Sequence, residues 1–272
     1  MNKRTVFIVS DHTGITAQTL ARTLLSQFDG LAFEPVLLPF TDSESKVRAA
    51  REHIDTARAR DGVRPIVLST LTDSRLRALL RESDALVLDL FEAFIGALER
   101  EFSRVSTPVV GKTHGLADRE AGRRRMQAVK FALSCDDGVN EKAYADADVI
   151  LLGVSRTGKT PASLYLAMHC GLKAANYPLT EDELQRGELP AVLAPYRDRL
   201  VGLVTDPLAL QRMREERRPD SPYSAFSQCQ HEVRASAELF RAAGIPVVDT
   251  THCSVEEVAS KIRQLRSRSR PA

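Results

Sequence analysis

Cysteine is scarce in this sequence and nowhere paired. Four occur in 272 residues (Cys135, Cys170, Cys229 and Cys253) with no C-x-x-C spacing, which argues against a disulfide framework and a zinc ribbon and fits a reducing compartment. Net charge is nearly absent as well: 38 Lys and Arg against 36 Asp and Glu leave +2, too little to imply a polyanionic partner. The basic runs GRRRMQ (122–127) and REERRP (214–219) are offset by Asp118, Glu120, Glu215 and Glu216. Long apolar runs are missing too. The one before Ser10 is four residues, too short for a signal-peptide core, and none approaches the roughly 20 residues that span a bilayer. The expectation is a cytoplasmic protein with no membrane and no nucleic-acid partner.

What is present is an ordinary globular balance, 43% hydrophobic and 27% charged, in a chain long enough for two domains. The first half alternates apolar runs with amphipathic stretches. Strands are expected at 5–10, 33–40, 64–70 and 85–91, with helices at 16–28 (Leu20, Leu24 and Leu25 on one face), 43–60 and 73–81. Repeated β-α pairs imply a parallel sheet covered on both faces. The pattern loosens over 103–120, and a helix then runs from Asp118 to Leu133 into SCDDG. Strands follow at 147–153, 173–178, 200–207 and 245–251, and a last helix over 255–265 precedes a basic tail. The expected organisation is an open parallel-sheet α/β domain over 1–110, a connecting helical segment over 111–145, and a P-loop kinase-like α/β domain over 146–272.

The segment GVSRTGKT satisfies G-x-x-x-x-G-K-[ST] between an expected strand and an expected helix. Gly153 and Gly158 let backbone N–H groups converge on phosphate oxygens, and a helix N-terminus adds partial positive charge. Lys159 would bridge the terminal phosphates and the Thr160 hydroxyl would ligate Mg²⁺. Val154, Ser155, Arg156 and Thr157 complete the loop; Arg156 either reaches a phosphate or points to solvent. Pro161 is tolerated because the first helical turn needs no N–H there. The N-K-x-D motif of GTPases is lacking. A carboxylate is still needed for the cation or for deprotonating the acceptor, and Asp136, Asp137, Asp206 and Asp249 compete for those tasks, with helix capping as the alternative for Asp206 and Asp249. Asp206 is the expected partner of Thr160 at a cation. Arg212, Arg214, Arg217 and Arg218 either close over phosphates or form a solvated face.

Across nearly the whole chain the sequence resembles the bacterial phosphoenolpyruvate synthase regulatory proteins and the related pyruvate, phosphate dikinase regulatory proteins. VSDHTGITA (9–17), DDG (136–138), GVSRTGKTP (153–161), NYPL (176–179), REERRP, SPYS and SVEEVASKI carry the resemblance. It departs at Cys135, where many relatives have histidine; His114 is a nearby candidate for that role. The resemblance implies a bifunctional enzyme that uses ADP to phosphorylate a threonine of the synthase or dikinase, and removes that phosphate with inorganic phosphate to give pyrophosphate. The loop 153–160 would bind ADP, or phosphate and pyrophosphate; Asp136 or Asp137 would be the general base. Ser10, Asp11, Thr13 and Gly14 would bind an anion or the partner, unless Thr13 or Thr16 is a helix cap and Gly14 a turn. His53, His169, His231 and His252 are read as incidental. A homodimer is compatible with the sequence. The competing readings are an ATP-dependent kinase of a small metabolite and a nucleotide-sensing protein without transfer activity.

Overall fold

The computed structural model describes residues 3–107 and 116–269. The chain divides into two compact units, 1–115 and 116–272. In the first, β1 (Arg4–Val9), α1 (Ile15–Leu25), β2 (Phe33–Leu38), α2 (Glu44–Asp61), β3 (Ile66–Ser69), α3 (Ser74–Arg81), β4 (Leu86–Asp89) and α4 (Leu90–Phe102) follow in order. The sheet order is β2-β1-β3-β4 with every pair parallel. Alternation along β1 sends Phe7 and Val9 to one buried cluster with Ile54, and Val6 and Ile8 to another with Ala17 and Ala21. Both faces are therefore covered, as buried parallel strands require.

The second unit holds α5 (Leu116–Ser134), β5 (Val149–Gly153), α6 (Lys159–Cys170), β6 (Ala174–Pro178), α7 (Glu181–Arg186), β7 (Leu200–Val204), α8 (Pro207–Glu215), α9 (Phe226–Ala243), β8 (Val247–Asp249) and α10 (Val255–Ser269). Its parallel sheet runs β6-β5-β7-β8, the same order as in the first unit. Ile150 and Leu152 face one cluster and Val149 and Leu151 the other. In each unit the strand order reverses beside the first strand, and open α/β sheets place ligands at the carboxyl ends of the strands at such a point. In the second unit the loop after β5 leads there. No helix among the described residues is long and apolar enough to cross a membrane.

Four local expectations change. The buried face of α1 is Ala17 and Ala21, with Leu24 exposed, because small residues let the helix lie close on β1. The fourth strand stops at Asp89, whose carboxylate accepts from the Glu92 N–H at 3.0 Å and starts α4. The run LDLFEAFIGAL is apolar enough to suit either period, and the cap decides it. Helix α9 has no counterpart in the expected elements. The stretch from Leu116 on, expected as a connector, belongs to the second unit, where Ala128 and Ala132 of α5 pack on Ala167 of α6.

Close packing of α9 on the sheet gives a direct check. A Cβ at Gly202 would stand 2.6 Å from the Phe240 ring, which is itself fully buried. Gly202→Ala is expected to destabilise the protein by about 1–3 kcal/mol through overpacking, read as a lower thermal midpoint.

Candidate phosphate site

The site grows from the way β5 ends. A Cβ at Gly153 would lie 2.6 Å from Thr157 Oγ1 and 2.7 Å from the Leu203 carbonyl, so only glycine lets the loop fold back against β7. Thr157 is buried and donates to the Val154 carbonyl at 3.0 Å, which closes the loop on itself. Arg156 and Gly158 have left-handed backbones, φ 76° and 86°. Gly158 caps α6 and offers no side-chain acceptor to the first helical N–H groups. Those donors, and the positive end of the helix dipole, are left for a ligand.

Lys159 opens α6 and is 5% exposed, with Nζ donating to the Val154 carbonyl at 2.9 Å. Burial pulls its pKa down to about 8; the Asp137 and Asp136 carboxylates oppose this and the Arg214 guanidinium adds to it. An ammonium in that setting gains from an arriving phosphate more than a solvated one would. The loop lines a cavity of about 910 Å³, at the upper end of ordinary ligand sites, together with Asp137, Pro178, Glu216 and Arg217.

The carboxylates are set by the turn Asp136–Gly138, a single turn of 3-10 helix after α5. Asp136 Oδ1 accepts from the Thr160 hydroxyl at 2.8 Å and from Asn176 Nδ2 at 2.5 Å. Asp137 is left-handed, φ 50° and ψ 35°, and its N–H donates to Asn176 Oδ1 at 2.9 Å. Asp136 thus meets the P-loop threonine, and Asp137 lines the cavity. Asp206, expected as that partner, instead caps α8, accepting from the Leu208 and Ala209 N–H groups at 2.9 and 3.2 Å. Asp249 closes its own turn with the N–H and hydroxyl of Thr251. Both follow the capping and turn chemistry of strand-end aspartates.

The four arginines separate. Arg217 lines the cavity, while Arg212 and Arg218 are exposed and outside its lining. Arg214 is fully buried and faces away from any phosphate role: it forms a two-pronged pair with Glu232 at 2.6 and 3.1 Å, stacks 4.3 Å from the Tyr223 ring centroid, and donates to the Ser155 carbonyl at 3.3 Å. The Ser155 and Tyr223 hydroxyls are 2.8 Å apart. Arg214, Tyr223 and Glu232 thus brace the loop from behind. The sequence signals for Arg214 and Tyr223 are the REERRP and SPYS matches, which carry no hint of that brace, and Glu232 lies in neither.

Cys135 is buried in the hydrophobic core of the second unit, with its thiol pushed upward by desolvation. His114 lies outside the described residues. His169 stacks on Tyr165 and His53 packs edge-on to Phe7, as expected of incidental histidines. In the first unit Asp11 accepts from the N–H and hydroxyl of Thr72 at 2.8 and 2.7 Å, and the Ser10 hydroxyl accepts from the His12 N–H. Gly14, with φ 77°, is the cap of α1, and neither Thr13 nor Thr16 caps it. Asp11 is thus committed to the loop after β3, and Ser10 to its own turn. No cluster of three or more metal-binding side chains of the His, Cys, Asp and Glu types occurs among the described residues.

Residues 6–263 match the family model described as kinase/pyrophosphorylase. The chain belongs to that family. A protein of Pseudomonas putida is 47% identical over 260 residues, covering 96% of both chains, and one of Burkholderia thailandensis is 48% identical with the same coverage. Both carry the name "Putative phosphoenolpyruvate synthase regulatory protein". The family description indicates a phosphotransferase, which suits a P-loop with a buried lysine.

The depressed Lys159 pKa has a measurable consequence. Below about pH 8 the free side chain is mostly ammonium, whereas between about 8 and the ordinary 10.5 it is mostly neutral, so a phosphate ligand that recharges it there takes up a proton. ADP binding at pH 9 is expected to take up close to one proton, and affinity to weaken as pH rises. Calorimetry in buffers of different ionisation enthalpy checks this, and Lys159→Met should abolish the uptake.

Proposed function

We propose that this kinase/pyrophosphorylase acts in the cytoplasm on phosphoenolpyruvate synthase, or on the similar pyruvate, phosphate dikinase, in two directions. In one, a threonine hydroxyl of the target attacks the β-phosphorus of ADP, giving phosphothreonine and AMP, and switches the enzyme off. In the other, inorganic phosphate attacks the phosphothreonine phosphorus, giving pyrophosphate and free threonine, and restores it. The observation that carries this reading is the loop 153–160 with buried Lys159, lining a cavity that Asp137 also lines. The family description supports a kinase and pyrophosphorylase, and the relatives' names support phosphoenolpyruvate synthase as the target.

Both reactions contain one P–O–P unit, in ADP or in pyrophosphate. A single cradle of amides with one ammonium suits both, because phosphoryl transfer asks for positioning and charge neutralisation more than covalent chemistry. In this reading Asp137, which lines the cavity, takes the threonine proton in the forward direction and returns it in the reverse. The oxygen donors of Thr160 and Asp136, 2.8 Å apart, fit a hard cation such as Mg²⁺. Such an ion would neutralise phosphate charge while Lys159 holds the bridging and terminal oxygens. Arg217, in the turn after α8, lines the cavity and can meet the phosphates.

Incubation of the purified target with this protein, ADP and Mg²⁺ is expected to yield phosphothreonine and AMP. Added phosphate should reverse it with release of pyrophosphate. Lys159→Ala should abolish both directions, and Asp137→Asn should slow both by about 10²–10⁴-fold at little change in ADP affinity. Transfer from ATP to a small molecule, with none to the target, would replace this reading with a metabolite kinase. Intact phosphate-dependent dephosphorylation in Lys159→Ala would break the shared cradle.

A further inference from the structure

We infer that Asn176 is a positioning residue that divides the two adjacent aspartates between two tasks, an inference that rests on the site reading above. Asn176 is 0% exposed and sits in the edge strand β6, where asparagine has poor strand propensity. Alternation sends Ala175 and Tyr177 to one cluster, and Ala174 to the cluster on the α6 side that Asn176 shares by register. An aliphatic residue would fill such a place without desolvating an amide. A buried amide is tolerated when its hydrogen bonds are made.

Both ends of this amide are used, and in one orientation only. Its Nδ2 donates to Asp136 Oδ1 at 2.5 Å, and its Oδ1 accepts the Asp137 N–H at 2.9 Å. A carboxylate accepts and an N–H donates, so a residue here must offer a donor and an acceptor together. Leucine offers neither, and an ionised aspartate lacks the donor.

The two bonds do different work. The first holds the Asp136 carboxylate against the Thr160 hydroxyl, on the cation side of the site. The second grips the backbone of Asp137 in a left-handed conformation that residues other than glycine rarely adopt. That bend puts Asp137 on the cavity wall while Asp136 stays at Thr160. The asparagine is anchored in turn: its N–H donates to the Cys135 carbonyl at 3.3 Å and its carbonyl accepts from the Tyr144 hydroxyl at 3.4 Å. The titratable groups around it are Asp136, Asp137, Lys159, Cys135 and Tyr144.

Asn176→Ala and Asn176→Leu test this in the whole chain, with ADP affinity measured with and without Mg²⁺ beside turnover in both directions. Asn176→Ala is expected to keep metal-free ADP affinity within about threefold, to lose the gain from Mg²⁺, and to slow both directions about 100-fold at unchanged KM, the size of effect that a misplaced group produces. Asn176→Leu fills nearly the same volume but offers neither donor nor acceptor, so it should show the same losses, which missing packing alone would not produce. That variant decides the matter if Asn176→Ala does not fold. Wild-type turnover in either variant, an intact gain from Mg²⁺, or metal-free ADP affinity falling in step with turnover would each overturn the inference. A wild-type protein without transfer activity would count against the proposed function alone, and the Mg²⁺ dependence of ADP affinity would then decide the role of Asn176.

Discussion

A buried ammonium governs this molecule's second unit. Lys159 is almost wholly removed from water, and the one hydrogen-bond acceptor its ammonium meets among the described residues is the carbonyl of Val154, inside its own loop. Charge in such a place is costly unless anions approach it, since the effective penalty for desolvating an ion is several kcal/mol. Asp136 and Asp137 offset part of that cost, and the remainder shows as a pKa near 8. The loop therefore carries an unmet demand for negative charge, met by phosphate oxygens when they arrive. Everything around it serves to keep that geometry: Gly153 permits the fold back to β7, Thr157 ties the loop to itself, and the Arg214–Glu232–Tyr223 brace holds Ser155.

The same constraint explains where the carboxylates sit. The aspartates that end β7 and β8, Asp206 and Asp249, are consumed by caps and turns. The carboxylate that reaches Thr160 comes from the turn before β5, carried there by α5 and locked by Asn176 from the strand beyond. On the proposed reading, proton transfer and cation contact fall to these two neighbouring residues, which the turn holds in separate orientations. Two negative groups kept apart near one buried cation form an arrangement suited to reversing a phosphoryl transfer with the same parts.

Much of this was legible in the sequence, for identifiable reasons. The P-loop has fixed residue types at fixed spacing because the phosphate geometry dictates them, and buried parallel strands read as apolar runs because both faces are covered. Both sheets and the loop 153–160 accordingly stand where the pattern puts them. What escaped depends on long-range contacts. Arg214 is indistinguishable in sequence from its exposed neighbours Arg212 and Arg218, since only Glu232, 18 residues on, makes it a buried brace. Asp206 and Asp136 are both plausible cation partners until the tertiary structure gives one to α8 and the other to Thr160. Helix α4 was hidden because an apolar run suits either period, and the cap at Asp89 is read only once its hydrogen bond is seen. The resemblance supplied the chemistry and target; residue types alone lead only as far as a nucleotide's phosphates.

The central claim is that one cradle around Lys159 takes the P–O–P unit of either ADP or pyrophosphate. Equilibrium displacement of a fluorescent ADP analogue by pyrophosphate tests it most directly. The expected result is strict competition, with the apparent ADP dissociation constant rising linearly with pyrophosphate concentration. Saturation of that rise, showing both ligands bound at once, would contradict it.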